Sequence, residues 1–493
     1  MKALRAGWPG LRPVALAAAA GAVAALGQEP LGWWPAALAG FAALIRLVLR
    51  APRGAGWLAL FGGAGHFAVA LNWIVEPFMV EPETYGWMAP FAVVGLAFGL
   101  ALFWAGAAAL ARRFVPGALG LVAALTLAEM LRGHVLTGFP WALPGHVWFH
   151  TPVLQGAALF GGYGLTLFTL LAAAGLASLR WPGALMGTAL VAAGWGWGLI
   201  ALSQPDPVAP GVTLRLVQPN AEQRLKWDPD LAATHFDRLL RLSAPQGAVP
   251  DLVVWPETAL PYLLDRHPEI AGMIAAAAGG APVALGLQRV AGEQAWNSLT
   301  VIAPDGTEAA RYDKAHLVPF GEYIPAGDLA YRLFGLRAFA SQAGAGYTAG
   351  PGPQIVDLGG KLGAVLPLIC YEAVFPQDIR AAASRPGWLL QVTNDAWFGT
   401  LTGPFQHAAL ARLRAVEFGL PLARAANTGV TAVYDARGRQ VAALPFGTEG
   451  ALDVALPGAL PATPYARFGE IPVLLLLAGL LGLAIWRRRH SLA

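Results

Sequence analysis

Cysteine is almost missing: Cys370 is the only one in 493 residues, which excludes an intrachain disulfide. Charge is also scarce. Asp, Glu, Lys and Arg make up 13% of the chain, about half the ~25% of ordinary soluble domains. No dense basic run with interleaved aromatics occurs and the net charge is only +4, so nucleic acid is not an expected partner. No GxxxxGKS or GxxxxGKT loop is present to cradle a nucleoside triphosphate. Apolar residues, by contrast, are abundant at 56%, with 18 Trp and 60 Gly. They are unevenly spread. Residues 1–203 are mostly Ala, Leu, Gly, Val and Trp, residues 204–465 have the mixed charge and Pro-Gly turns of a soluble domain, and residues 466–493 return to an apolar run with a basic tail. The pattern predicts a membrane protein with one water-facing domain, long enough to bury its own core.

Apolar stretches fall at residues 13–27, 31–49, 56–75, 87–110, 117–131, 153–179, 183–202 and 471–486. A crossing helix needs ~20 residues, so the first, fifth and last are short. The charges nevertheless alternate as eight spans require. Lys2, Arg5 and Arg12, then Arg50 and Arg53, Arg112 and Arg113, Arg180, and Arg487, Arg488 and Arg489 fall on one side. The intervening connections are neutral or acidic, as at Glu76, Glu81 and Glu83. The positive-inside rule then puts both termini in the cytoplasm and the domain of residues 204–465 outside it. Reading the N-terminal run as a cleaved signal peptide would break that alternation. The aromatic segment from Thr137 to His150, broken by Pro and Gly, suits a membrane–water boundary. His146 and His150 are four apart, but no further ligands complete a metal site, and none is expected. Gly183 and Gly187 give a weak helix-packing signal.

From residue 212 the pattern changes to short apolar runs between turns. Val212–Val217, Leu252–Trp255, Val283–Leu287, Ser298–Ile302, Leu362–Ile369, Trp388–Thr393, Thr431–Tyr434 and Ala451–Val454 are expected strands. Ala232–Leu242, Glu269–Ala277, Pro376–Ala383 and Phe405–Phe418 are expected helices. Alternating strands and helices predict a layered α/β domain. Ionisable groups gather at strand ends, where open α/β sheets hold their ligands. Glu257 follows one strand in Trp255-Pro256-Glu257-Thr258, and Cys370 follows another in Cys370-Tyr371-Glu372. Lys314 and Glu322 lie in Tyr312-Asp313-Lys314-Ala315-His316-Leu317-Val318-Pro319-Phe320-Gly321-Glu322. Singly, Glu257 reads equally as a helix cap, and Lys314 and Glu322 as surface charges. A carboxylate, an ammonium and a thiol delivered together predict an acyl-transfer site.

These three strings resemble the Glu, Lys and Cys motifs of the carbon–nitrogen hydrolase (nitrilase) superfamily. With the membrane block and HLVPFGE, the chain is similar over nearly its whole length to the bacterial apolipoprotein N-acyltransferase family. Further matching strings are Phe139-Pro140-Trp141, Gln218-Pro219-Asn220, Trp227-Asp228-Pro229, Trp296-Asn297-Ser298, Thr393-Asn394-Asp395-Ala396-Trp397-Phe398-Gly399 and Arg424-Ala425-Ala426-Asn427-Thr428-Gly429. The resemblance implies a multi-span α-helical membrane domain plus an α/β nitrilase-like domain, an α-β-β-α layered sandwich, facing the periplasm of the bacterial inner membrane. It implies transfer of an acyl chain from a phospholipid donor to the α-amino group of a diacylated apolipoprotein acceptor at the lipid bilayer, without a cofactor. Glu257 is implied as base, Lys314 as positive partner and Cys370 as nucleophile, with Glu322, Trp227, Tyr371 and Glu372 at supporting family positions.

An ordinary thiol, pKa ~8.5, is only ~3% thiolate at pH 7, and an ordinary Glu is about four units too acidic to deprotonate it. The chemistry therefore predicts that burial raises Glu257 and that the Lys314 ammonium lowers Cys370. A thioester keeps the acyl group activated, so no ATP is required, and the kinetics are expected to be ping-pong. Residues 325–348, rich in Gly, Ala and aromatics, are expected to form a lid dipping into lipid. Two other readings compete. A membrane-tethered amidase would use the same three groups with water as second nucleophile. A transporter with a sensor domain would favour ionisable groups inside its spans; few exist here, and Glu129 and Arg132 lie near one span's end.

Overall fold

The computed structural model describes residues 8–324 and 346–490. Its chain divides into two compact units. One takes the residues up to Pro205 with Leu401–Ala409 and the segment from Ala462 onward; the other takes Asp206–Thr400 and Leu410–Pro461.

In the first unit every expected apolar stretch carries a helix: Leu11–Ala25, Trp34–Arg50, Ala55–Ala70, Ala89–Phe114, Ala118–Arg132, Ala157–Ala177, Trp181–Leu202 and Ile471–His490. Among the described residues, four helical segments are long and apolar enough to cross a membrane: Pro82–Phe114, Pro152–Ala177, Trp181–Leu202 and Ile471–His490. A fifth arises if Ala55–Ala70 and Asn72–Met79, bent by 50°, count as one span. Leu11–Ala25 and Ala118–Arg132 have only 15 residues each, about 22 Å of helix against a ~30 Å hydrocarbon core. Small residues let the helices approach closely. A Cβ at Gly21 would stand 1.8 Å from the Gly62 carbonyl oxygen, and one at Gly187 would stand 2.7 Å from that of Ala172. The weak Gly183/Gly187 signal is thus a true contact between two helices. Large apolar side chains such as Phe91, Leu102, Trp181, Met186 and Leu475 point outward, as a lipid-facing surface requires.

In the aromatic segment around residue 141, Trp141 and Trp148 are buried, and their indole N–H groups donate to Gln406 Oε1 (2.7 Å) and Thr169 Oγ1 (2.8 Å). Glu129 and Arg132 form a buried ion pair, and the guanidinium also donates to the Phe139 and Trp141 carbonyls. Their charges are used within the unit. His150 meets the Glu29 carboxylate at 2.8 Å, and His146 accepts from the Leu143 N–H.

Among the described residues the second unit holds two six-stranded sheets. The first contains β1 (Thr213–Gln218), β2 (Leu252–Val254), β3 (Val283–Ala291), β4 (Gln294–Ile302), β5 (Glu308–Asp313) and β12 (Gly450–Ala455), in the order β12-β1-β2-β3-β4-β5. The second contains β6 (Val356–Asp357), β7 (Ala364–Ile369), β8 (Trp388–Thr393), β9 (Leu422–Ala426), β10 (Thr431–Tyr434) and β11 (Gln440–Leu444), in the order β11-β10-β9-β8-β7-β6. Strands β1, β2 and β3 run parallel, as do β7, β8 and β9, with antiparallel strands outside them. Alternation along each strand then sorts the core. Leu214, Leu216, Leu252 and Val254 of the first sheet share one apolar cluster with Ile369, Leu390, Val392 and Ala425 of the second. The opposite faces of β2 and β3, with Val253, Val283 and Leu285, pack on Phe236 and Leu239 of helix Ala232–Ser243 and Ile270 and Ile274 of helix Glu269–Ala277. Helices outside and sheets face to face give the expected sandwich. Strands β5, β6, β9 and β11 were not among the expected ones.

Candidate active site

Glu257 reaches the site because the chain after β2 buries Trp255, whose indole donates to Ser243 Oγ at 2.7 Å, and then turns sharply. Thr258 has φ +45°, the left-handed region that costs a β-branched residue strain. Gly286 of β3 makes room for that turn: a Cβ there would lie 2.4 Å from the Pro256 carbonyl oxygen and 2.6 Å from Glu257 Cα. The Glu257 carboxylate is 6% exposed as a residue and fully engaged. Its Oε1 accepts from Asn297 Nδ2 (2.7 Å) and Lys314 Nζ (3.3 Å), and its Oε2 accepts from the Asn394 backbone N–H (2.9 Å).

Lys314 follows β5 and is 1% exposed. Its ammonium lies 2.9 Å from Glu322 Oε1 and 3.3 Å from Glu257 Oε1. Burial works against its charge, but the Glu322 and Glu257 carboxylates override it and hold the ammonium protonated well above the usual lysine range. Glu322 is itself braced, accepting from Asn297 Nδ2 (3.1 Å) and the Val318 N–H (2.9 Å).

Cys370 stands at the end of β7 with φ +53°, a conformation that costs ~1–2 kcal/mol for an L-residue. Gln391 Nε2 holds its carbonyl at 3.0 Å. Burial pushes the thiol well above its usual range, and the nearby Glu257 carboxylate pushes it further. Lys314 and the Thr393 hydroxyl pull it back without compensating. The expectation that the ammonium lowers Cys370 thus holds for that one interaction, while desolvation decides the net direction.

Glu372 joins two of these strand ends. Its Oε1 accepts from Tyr312 Oη (2.8 Å), the Ala315 N–H (2.7 Å) and the His316 N–H (3.2 Å), and its Oε2 accepts from the Ile369 N–H (2.7 Å). It is a clamp between the Lys314 and Cys370 segments. Tyr371 packs edge-on against Phe375 (4.8 Å) and His316 (5.7 Å). Trp227 is half-buried beside Lys226, whose Nζ lies 5.6 Å from the ring centre. Of the expected residues, Glu257, Lys314, Glu322 and Cys370 share one polar site, Glu372 and Tyr371 flank it, and Trp227 lies on the Lys226 side. Of the expected lid, residues 325–345 lie outside the described residues. Three groups had no expected role: Asn297, Asn394 and Lys226. The first two lie in matching strings, and Lys226 immediately precedes one. Among the described residues, no three His, Cys, Asp or Glu side chains could hold a metal ion.

Residues 201–465 match the carbon–nitrogen hydrolase family model, and residues 20–175 match that of the apolipoprotein N-acyltransferase N-terminal domain. The chain is 39% identical over 516 residues to an apolipoprotein N-acyltransferase of Bradyrhizobium diazoefficiens, covering 97% of this chain and 96% of that protein. It is 38% identical to the protein of that name in Rhodopseudomonas palustris, over 97% of this chain and 96% of the other. With that of Caulobacter vibrioides it shares 40% identity, over 94% and 92%. Full-length similarity at this level, with both halves matched in order, shows that the chain belongs to the apolipoprotein N-acyltransferase family.

Proposed function

We propose that this enzyme moves a fatty acyl chain from a phospholipid to the α-amino group of the diacylglyceryl-cysteine that begins an apolipoprotein. The acyl chain rests on Cys370 as a thioester between the two half-reactions. One observation carries the reading: a buried thiol, a buried carboxylate and a buried ammonium converge from the ends of β7, β2 and β5.

Glu257 is the base. It takes the thiol proton as sulfur attacks the lipid ester carbonyl, and the Lys314 ammonium with backbone N–H groups faces the developing oxyanion. The tetrahedral intermediate collapses by breaking the ester C–O bond, and protonated Glu257 gives its proton to the departing lysophospholipid oxygen. Glu257, again a carboxylate, accepts a proton from the incoming α-amine as nitrogen attacks the thioester carbonyl. The C–S bond breaks, the amide forms, and the proton returns to sulfur. Glu322 and Asn297 fix the positions of Lys314 and Glu257, Glu372 and Tyr371 support the Cys370 strand end, and Trp227 is placed to meet lipid.

The same reading assigns a membrane block of residues 1–203, a catalytic domain of residues 204–465 and a last span with a basic tail in residues 466–493. The arginine-bearing connections support cytoplasmic termini and a catalytic domain on the periplasmic side of the inner membrane. The amidase reading leaves the match over residues 20–175 without a purpose. The test is incubation of the purified protein with phospholipid and a synthetic diacylated lipopeptide. A triacylated peptide is expected from the wild type and none from Cys370→Ser. Free fatty acid in place of acylated peptide would favour hydrolysis instead.

A further inference from the structure

Lys226 is a second buried cation beside the proposed catalytic groups, 6% exposed. Its Nζ donates to the Glu257 carbonyl oxygen (3.1 Å) and to Thr258 Oγ1 (2.9 Å), both on the strained turn that presents Glu257. Among the described residues no carboxylate lies within ion-pairing distance of it. Its partners are two neutral oxygens and the face of Trp227. Lys314 differs, because two carboxylates already neutralise it. Burying an ammonium without an opposite charge is costly, and burial lowers its pKa to about 8, with the negative forms of Glu257 and Cys370 drawing it back up.

The segment carrying it is fastened to two strand ends. The Asn427 side chain exchanges hydrogen bonds with the Ala221 backbone (2.9 and 2.8 Å), and Asn394 Nδ2 donates to Gln223 Oε1 (2.7 Å). Asn394 is the same residue whose N–H holds Glu257. The ammonium is therefore held in place before any substrate arrives, as electrostatic preorganisation requires.

Charge balance gives it a task. In the resting site the carboxylates of Glu257 and Glu322 face Lys314. When sulfur attacks, the proton passes to Glu257 and one negative charge remains, first on sulfur and then on the carbonyl oxygen. Lys314 faces this charge but also Glu322 at 2.9 Å, so one ammonium is shared between two anions. We propose that Lys226 is the cation that offsets this charge, a positioning residue acting through the Glu257–Thr258 turn and through its field at Cys370. The inference rests on Cys370 being the nucleophile. The charged and titratable groups around the pair are Glu257, Lys314 and Asp395 about Cys370, with the Thr393 hydroxyl, and Glu257 and Cys370 about Lys226. His235 lines the same small cavity as Lys226 and Trp227.

With a single cysteine, iodoacetamide labelling of the full-length protein in detergent reports this site alone. The pH profile of labelling is measured for wild type, Lys226→Gln and Lys226→Arg. Gln keeps donors for the Glu257 carbonyl and Thr258 hydroxyl but drops the charge. With that charge gone, labelling near neutral pH, where Lys226 is protonated, is expected to be about tenfold slower, while Arg stays near wild type. Because the buried charge is costly, Lys226→Gln is also expected to melt no lower than wild type. An unchanged rate of labelling near neutral pH in Lys226→Gln overturns the proposal. So does a lowered melting temperature, because the lysine is then a brace of the fold. Undiminished acyl transfer by Cys370→Ser would instead sink the nucleophile assignment itself, a distinct result.

Discussion

Replacing Glu372 by Gln tests how strongly two strand ends are tied together. The substitution keeps shape and removes charge. In the structure both carboxylate oxygens accept, Oε1 from three donors and Oε2 from the Ile369 N–H. An amide has one acceptor oxygen. Whichever way it is placed, its NH2 faces at least one backbone N–H at a distance that was 2.7 Å to the carboxylate. Losing one charge-assisted hydrogen bond is worth ~1.5–3 kcal/mol, and leaving a buried N–H unsatisfied is worth a comparable ~1–3 kcal/mol. Relaxation offsets part of this, so a loss of ~2–4 kcal/mol in stability is expected. A shift of ~1 Å between the Lys314 and Cys370 segments would slow chemistry by about a hundredfold. The assay pairs thermal unfolding in detergent with the rate of acyl-enzyme formation, followed by intact-protein mass. Wild-type rate and wild-type melting temperature together would refute the clamp.

Gly286→Ala places a methyl 2.4 Å from the Pro256 carbonyl oxygen. It is expected to cost ~1–3 kcal/mol in unfolding free energy and to slow acylation by displacing Glu257. Lys314→Met should abolish acyl transfer, lowering kcat far more than it raises KM; steady-state kinetics with a lipopeptide acceptor measure this. Lys226 is a base whose folded pKa, about 8, lies below its unfolded value of 10.5. The unfolded chain therefore binds more protons between those limits, and its contribution to stability rises as pH climbs from about 8 to 10.5. The difference corresponds to about 3 kcal/mol, and it appears as a wild-type melting temperature that gains on that of Lys226→Gln over this window.

The strand ends that carry Glu257 and Cys370 were legible because their strands are buried apolar runs that stop abruptly at an ionisable residue. Strand β9 was not, since Leu-Ala-Arg-Ala-Ala carries helix-favouring residues and becomes a strand only through pairing with β8 and β10. Strand β5 is mostly polar and exposed at a sheet edge, so it lacks the apolar signal. Its end carries Lys314, which is why that residue reads equally as a surface charge. Asn297 and Asn394 do their work through one amide and one backbone N–H, and no local pattern announces such partners. Lys226 hides for the opposite reason. It sits among charged and turn residues, where a lysine is ordinarily solvated, and the folded chain buries it against the Glu257 carbonyl and Thr258. Trp141 and Trp148 show the same limit: an indole N–H needs a partner, and only the folded chain shows that Gln406 and Thr169 supply it.

The most direct measurement is peptide mass spectrometry after incubating the purified enzyme with phospholipid alone. One fatty-acyl mass is expected on the peptide containing Cys370, labile to hydroxylamine and discharged by a diacylated lipopeptide. An enzyme that acylates lipopeptide while Cys370 never gains that mass, or does so after Cys370→Ser, would contradict the account.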